Sequence, residues 1–245
     1  MYNLYKMNEM LELQGEVLRL LNGQIDSCYL AGGTALSLIY FQHRGSFDLD
    51  FFTDDFNERE IKRIIKYLED KLEVEISLVE SQSDEKFAKM LVYSIPVKGT
   101  KISLRLDFIE DVYALLESTK RVEGVSILSL SDIYLRKVYT TCGGFVRKDD
   151  VGRDVFYGGR QEAKDFFDLY YLSTTYLPLS EFVSKYCKQT EKESIIVWYR
   201  RYDRMMIKVG LLDIITPHNP DHREMDKHFK EEIDKIILEE IVGEI

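Results

Sequence analysis

The chain has 245 residues, 45% of them hydrophobic, which is enough to bury the core of one large domain or two modest ones. A formal net charge of −10 argues against a general nucleic-acid coat, so an RNA or DNA partner would need a local basic patch. Cys28, Cys142 and Cys187 are scattered and give neither a disulfide framework nor zinc spacing, which fits a reduced cytosol. The start has no signal-peptide pattern, and the longest weakly polar run, Leu30 to Phe41, is too short to span a bilayer. A cytoplasmic protein with no membrane partner is expected.

Leu4, Met7, Leu11, Leu18 and Leu21 fall near helical spacing and predict an amphipathic helix over 2–21, stopped by Asn22-Gly23. Cys28 to Ala31 reads as a short buried strand. Ala31-Gly32-Gly33-Thr34 then closes the strand and opens a helix. Glycine at such a turn takes backbone angles closed to other residues and lets a phosphate approach bare amides. A second strand carries Asp48-Leu49-Asp50. Alternation puts Asp48 and Asp50 on one face, with Phe47, Leu49 and Phe51 turned to the core. Two carboxylates side by side repel unless a cation sits between them, and an oxygen-only pair suits Mg²⁺ or Mn²⁺. Asn57 with Glu60 predicts a capped helix over 58–72. Strands are expected at 74–79, 87–97 and 100–109. The last has Ile102, Leu104, Leu106 and Phe108 on one face and Lys101, Ser103, Arg105 and Asp107 on the other.

Near Gly124 the alternation gives way to helical patterning. A helix begins at Ser129 or Ser131 and runs through Cys142, with Gly143-Gly144 just beyond. Residues 145–160 are charged and glycine-rich and read as a mobile loop. Helices follow from Gln161 to about Ser173, from Ser180, from Thr190 to about Lys208, and from Asp221 to about Val242. The expected organisation is a mixed α/β domain over 1–125 and a helical domain over 126–245. Trp198-Tyr199 and Tyr170-Tyr171 have the chemistry to stack a base but read better as core, and Arg200, Arg201, Arg204 and Lys208 form a basic stripe.

The Gly32-Gly33-Thr34-Ala35-Leu36 turn, followed by His43-Arg44-Gly45-Ser46-Phe47-Asp48-Leu49-Asp50-Phe51-Phe52, resembles the AbiEii/AbiGii toxin family of nucleotidyltransferases, within the DNA polymerase beta-like superfamily. The resemblance covers spaced motifs over roughly 30–172. It implies a nucleotidyltransferase fold of α/β (α+β) class, a mixed sheet flanked by helices, with the helical domain closing a nucleotide cleft. It implies an NTP bound at Gly32, Gly33 and Thr34, and a divalent ion held by Asp48 and Asp50. Asp107 would be the third carboxylate, holding metal or accepting a proton. Its plain alternative is a solvent-facing or Arg105-paired acid. Many superfamily members have serine where this chain has Thr34, and either supplies a hydroxyl.

The resemblance further matches Lys137 to a lysine that contacts nucleotide phosphate. On that reading Lys137→Ala weakens nucleotide binding with little loss of stability. The alternative is a solvated helix face carrying an Asp132–Arg136 pair. Lys164-Asp165-Phe166-Phe167-Asp168-Leu169 resembles a further family motif. Asp165 is expected to orient the nucleotide or Lys137, and Lys164 and Asp168, which share a helix face, to join it in the nucleotide-binding set; an exposed ion pair is the plain alternative. Arg44 has the chemistry for a phosphate contact and Ser46 for fixing the start of the Asp48–Asp50 strand, while His43 reads as a satisfied loop residue. The implied activity is Mg²⁺-dependent NMP transfer from NTP, with pyrophosphate released. The resemblance permits tRNA or another RNA as acceptor and a cognate antitoxin as partner. The competing function is a non-catalytic nucleotide-binding or protein-interaction module on the same fold.

Overall fold

The structure, a computed structural model, describes residues 2–143, 145–148, 150–152, 154–157, 159–217 and 220–243. Two compact units emerge: Met1–Tyr40 with Ser46–Ser129, and Phe41–Gly45 with Leu130–Ile245. The five residues around His43-Arg44 thus belong with the second unit, although their sequence neighbours belong with the first.

The first unit holds α1 (Tyr2–Leu21), β1 (Tyr29–Leu30), α2 (Gly32–Ala35), which runs on as a π-helical turn over Leu36–Phe41, β2 (Leu49–Thr53), α3 (Glu58–Leu72), β3 (Ser77–Gln82), β4 (Met90–Pro96), β5 (Ser103–Glu110), β6 (Lys120–Val122) and β7 (Val125–Ile127). The strands form a seven-stranded mixed sheet in the order β3-β4-β5-β2-β1-β7-β6. The β2–β5 and β1–β7 pairs are parallel and the others antiparallel. Period-two alternation sends Leu49, Phe51, Leu104, Leu106 and Phe108 to a fully buried face. The apolar stripe of α3 (Ile61, Ile64, Ile65, Leu68 and Leu72) is buried as well. Helix α3 starts where expected because the Asn57 carboxamide oxygen accepts from the Arg59 and Glu60 amides.

Three expectations in this unit shift. The strand expected at 74–79 begins at Ser77 and lies at the sheet edge with a bulge between Leu78 and Glu80; solvent on both sides removes the need for a buried face. The hairpin β6–β7 was not anticipated, because three-residue strands carry too little alternation to read. Its turn is made by Glu123-Gly124, with Gly124 at φ +83° and no room for a Cβ beside Asn22. Phe47, expected to face the core, is only half-buried.

The second unit holds α4 (Leu130–Cys142), β8 (Phe145–Lys148), β9 (Asp154–Tyr157), α5 (Ala163–Thr175), α6 (Leu179–Tyr186), α7 (Gln189–Arg201), α8 (Arg204–Leu211) and α9 (His222–Gly243). The stretch read as a loop contains an antiparallel hairpin, with Phe145 opposite Tyr157 and Lys148 opposite Asp154. Gly144, expected beyond α4, lies outside the described residues. The single helix expected over 190–208 is two, because the Asp203 carboxylate accepts from the Met205 and Met206 amides and starts α8 afresh. Trp198 is core: it packs against Phe166, Tyr202 and Phe229, not against solvent. Among the described residues no helix is long and apolar enough to cross a membrane.

Replacing Asn57 with Ala removes the α3 cap and should cost about 1 kcal/mol, read as a lower urea midpoint with unchanged slope, while Asn57→Asp retains most of it.

Candidate active site

In the first unit the glycine turn is tied to the strand that follows it. The Ala31 amide donates to the Asp50 carbonyl at 2.9 Å. Thr34 is fully buried; its hydroxyl bonds the Asp48 carbonyl and lies 2.9 Å from the Ser46 hydroxyl. Gln14 Nε2 donates to the Ser46 carbonyl at 3.1 Å. Thr34 and Ser46 thereby tie the glycine turn to the start of β2. Gly32 sits at φ +66°, and a Cβ there would lie 2.5 Å from Asp50 Oδ2. Glycine is required twice, for its backbone angle and for the approach of that carboxylate. Gly32 and Gly33 are the first residues of α2, where backbone amides have no intrahelical acceptor.

Register brings the carboxylates together. Asp50 lies directly opposite Asp107 across the parallel β2–β5 pair, and Asp48 comes two residues before Asp50. Asp48 is exposed, Asp50 half-buried and Asp107 6% exposed. Like charges opposite one another cost stability. Arg105 offsets part of this: its Nε lies 2.9 and 3.0 Å from the two Asp107 oxygens. Burial pushes the Asp107 carboxyl above its ordinary value; Arg105 opposes that, while Asp48 and Glu80 add to it. The plain alternative for Asp107, an Arg105-paired acid, describes its contacts, but the residue does not face solvent. As a set, Asp48, Asp50 and Asp107 have the all-oxygen chemistry of an Mg²⁺ site. Among the described residues, however, no group of three His, Cys, Asp or Glu side chains is arranged to hold a metal ion. The three acids are on one face of adjacent strands, but they are not closed into a preformed cage.

The second unit gathers the remaining candidates around two buried carboxylates on one face of α5. Asp168 accepts from Arg44 through Nε (2.6 Å) and Nη2 (2.8 Å) and from His43 Nε2 (2.8 Å), and Lys137 Nζ lies 2.7 Å away. Asp165 accepts from Lys137 (2.7 Å) and from Arg160 through Nε (2.6 Å) and Nη2 (3.0 Å). The His43–Arg44 segment is pinned by Gly45 N–H to the Ile215 carbonyl (2.6 Å) and by the Thr216 hydroxyl to the His43 carbonyl (2.8 Å). His43 Nδ1 has no partner among the described residues, so Nε2 carries the proton given to Asp168.

Several expectations change here. Asp165 accepts from Lys137, and the buried ammonium lies between Asp165 and Asp168, tied into the framework of the second unit. Arg44 forks onto Asp168, where a phosphate had been expected. Lys164 does not face Asp168; it pairs with Glu162 at 3.1 Å on the exposed side of α5. The Asp132–Arg136 pair exists at 3.2 Å but is buried, not solvated. Arg160 and His43 were not singled out as functional. Arg160 falls in the stretch read as a loop, and nothing local to His43 signals a carboxylate 125 residues away.

Burial works to raise the Asp168 carboxyl, but Lys137, Arg44 and His43 outweigh it and hold it well below the usual range. Asp165 behaves alike under Lys137 and Arg160. Burial tends to lower the Lys137 ammonium's pKa; Asp168 and Asp165 turn the balance and raise it.

A family description, "Nucleotidyl transferase AbiEii toxin, Type IV TA system", matches residues 19–241. The fold resembles JHP933 from Helicobacter pylori (20% identity, 94% of this chain and 91% of that one, TM-score 0.59) and a putative nucleotidyltransferase from H. pylori (20%, 94% and 94%, 0.59). It also resembles MenT4, the nucleotidyltransferase toxin Rv2826c from Mycobacterium tuberculosis H37Rv (12%, 95% and 84%, 0.54). No curated protein matches. The glycine turn, the acid-bearing strands and the mixed sheet define a nucleotidyltransferase of α/β class. The chain belongs to the AbiEii nucleotidyl transferase toxin family.

Gly32→Ala should cost about 1–2 kcal/mol of stability through its left-handed backbone and should also push the Asp50 carboxylate aside. Transfer activity should therefore fall further than the loss of folded protein explains, as activity corrected by thermal melts would show.

The buried network makes a second prediction. Asp165 and Asp168 have folded values below the unfolded value of about 3.9, so their stabilisation is full above that pH and fades as pH falls toward the folded values. Asp168→Asn strands Arg44 and Lys137 and should cost about 3–5 kcal/mol at pH 7. It should also flatten the acid limb of the stability–pH curve. Lys137→Ala should likewise destabilise strongly, which reverses the expectation drawn from sequence.

Proposed function

We propose that this toxin is a metal-dependent enzyme that moves an NMP from an NTP to an acceptor, releasing pyrophosphate. The observation that carries the reading is the Asp50–Asp107 juxtaposition, with Asp48 beside it and Gly32 pressed against Asp50. Acids crowded on the polar face of two strands are costly unless a cation joins them.

In this reading the Gly32 and Gly33 amides donate to phosphate oxygens of the NTP. Asp48 and Asp50 hold Mg²⁺ or Mn²⁺, and Asp107 is the third carboxylate. The ion, when bound, neutralises charge on the attacking and leaving oxygens of the in-line displacement. Thr34 and Ser46 are positioning residues, since they fix the backbone of Asp48. Lys137 has three N–H donors, two of them engaged by Asp165 and Asp168. Asp165 and Asp168 hold that ammonium within the second unit. The acceptor assigned is RNA, tRNA among the candidates, and a cognate antitoxin is the expected protein partner. With a net charge of −10, RNA contact must be local, and exposed Arg200, Arg201, Arg204 and Lys208 supply cations for it.

One feature favours the competing reading of an interaction module. The outer face of α8 and the residue after it expose Met205, Met206, Val209 and Leu212.

The test is pyrophosphate release and label transfer from each radiolabelled NTP, with Mg²⁺ and total cell RNA or protein. Wild type should label an RNA fraction, and Asp48→Ala should lower the rate by about two orders of magnitude or more, the scale for losing one group that stabilises developing charge. Equal release from both proteins, with no rise in melting temperature on adding nucleotide, would leave the interaction module standing.

A further inference from the structure

We propose that Arg105 is the resident cation of the Asp107 carboxylate and that a divalent ion must displace it to bind, so that Arg105 sets the metal affinity of the site. The inference rests on the reading above, in which Asp48, Asp50 and Asp107 hold that ion.

Arg105 and Asp107 share a face of β5, two residues apart. The guanidinium Nε is nearly equidistant from both Asp107 oxygens, 2.9 and 3.0 Å, and so engages both oxygens that an ion would need. Leu49 pairs with Leu106, which aligns Asp48 with Arg105 and Asp50 with Asp107. The β3–β4–β5 pairing continues the row through Val92 to Glu80. Arg105 is thus set among Asp48, Asp107 and Glu80, and all three carboxylates favour its charged form.

The two partners differ in mobility. The Asp107 side chain is 8% exposed, whereas that of Arg105 is 47% exposed. Glu80, 56% exposed, already lies 3.8 Å from Arg105 Nη2. A rotation of the arginine side chain toward Glu80 uncovers Asp107 without moving the strand. Half-exposed ion pairs are weak, so a dication bridging Asp48, Asp50 and Asp107 outcompetes the monocation.

The experiment is Mn²⁺ binding to the full chain, followed by electron paramagnetic resonance, with thermal melts in EDTA and in Mn²⁺. Arg105→Gln should bind Mn²⁺ tighter than wild type by about two- to fivefold, the scale of a half-exposed ion pair. Its melting temperature should be lower in EDTA and rise more on adding Mn²⁺. Arg105→Lys, which cannot cover both oxygens side-on, should show a smaller gain and guards against a misfolded glutamine variant. In an Asp107→Asn background, Arg105→Gln should give no gain; a gain that persists there would be a general field effect and would overturn the proposal. Unchanged or weaker Mn²⁺ binding by both Arg105 variants, with binding still lost in Asp48→Ala, would overturn it while leaving the metal reading intact. Absence of Mn²⁺ binding in wild type and both Arg105 variants would remove the metal reading and this inference with it.

Discussion

A carboxylate kept from water must find a cation, and the two units answer that requirement differently. In the second unit the answer is internal. Asp165 and Asp168 are fully buried, and Lys137, Arg44, Arg160 and His43 converge on them at 2.6–3.0 Å. Removing any one partner from such a set leaves an uncompensated charge in a low-dielectric interior, which is why each is expected to matter for stability. In the first unit the cation on the buried acid is half-exposed. Asp107, nearly as buried, has Arg105, but its neighbours on the same face are Asp48, Asp50 and Glu80.

That contrast separates scaffold from chemistry more sharply than motif matching does. Lys137 and Asp168 sit in motifs the family resemblance marks as functional, yet their geometry is that of a closed ion network. Asp48 and Asp50 lie at the start of a strand whose buried positions, Leu49 and Phe51, anchor it while the acids stay at the polar face. The same alternation that builds the core delivers the acids.

The parts of this protein legible in its sequence are those decided by neighbours within a few residues. The glycine turn, the Asp48–Asp50 spacing, the Asn57 cap and helices α1 and α3 depend on local backbone geometry and on periodicity. The β6–β7 and β8–β9 hairpins were missed because short or charged strands carry no readable alternation. The break between α7 and α8 turns on whether Asp203 caps a helix or sits within one, and both choices fit the local pattern. The burial of Lys137, Asp165 and Asp168 was missed for a deeper reason. A polar residue reads as solvated unless its partner is known, and here Lys137 is 28 residues from Asp165 and His43 125 from Asp168. Conversely, Arg105 beside Asp107 was visible as a pair, but its burial and the register opposite Asp50 required the sheet.

Thr34 shows how a departure from a familial pattern is settled by contacts. Serine is common at this place in the superfamily, and the shared hydroxyl suggested a donor to phosphate. Here that hydroxyl is buried and bonds the backbone carbonyl of Asp48, with Ser46 completing the contact. The bond gives the carbonyl preceding the acidic strand a donor from inside the fold. Either hydroxyl residue supplies that donor, and the threonine methyl adds buried apolar surface. The consequence reaches the site: the glycine turn and the acidic strand are joined through Thr34, so the distance between the donor amides and the carboxylates is fixed by the fold. On the proposed reading, a nucleotide bound there would require the side chains of Arg105 and its acids to adjust, and not the backbone that carries them.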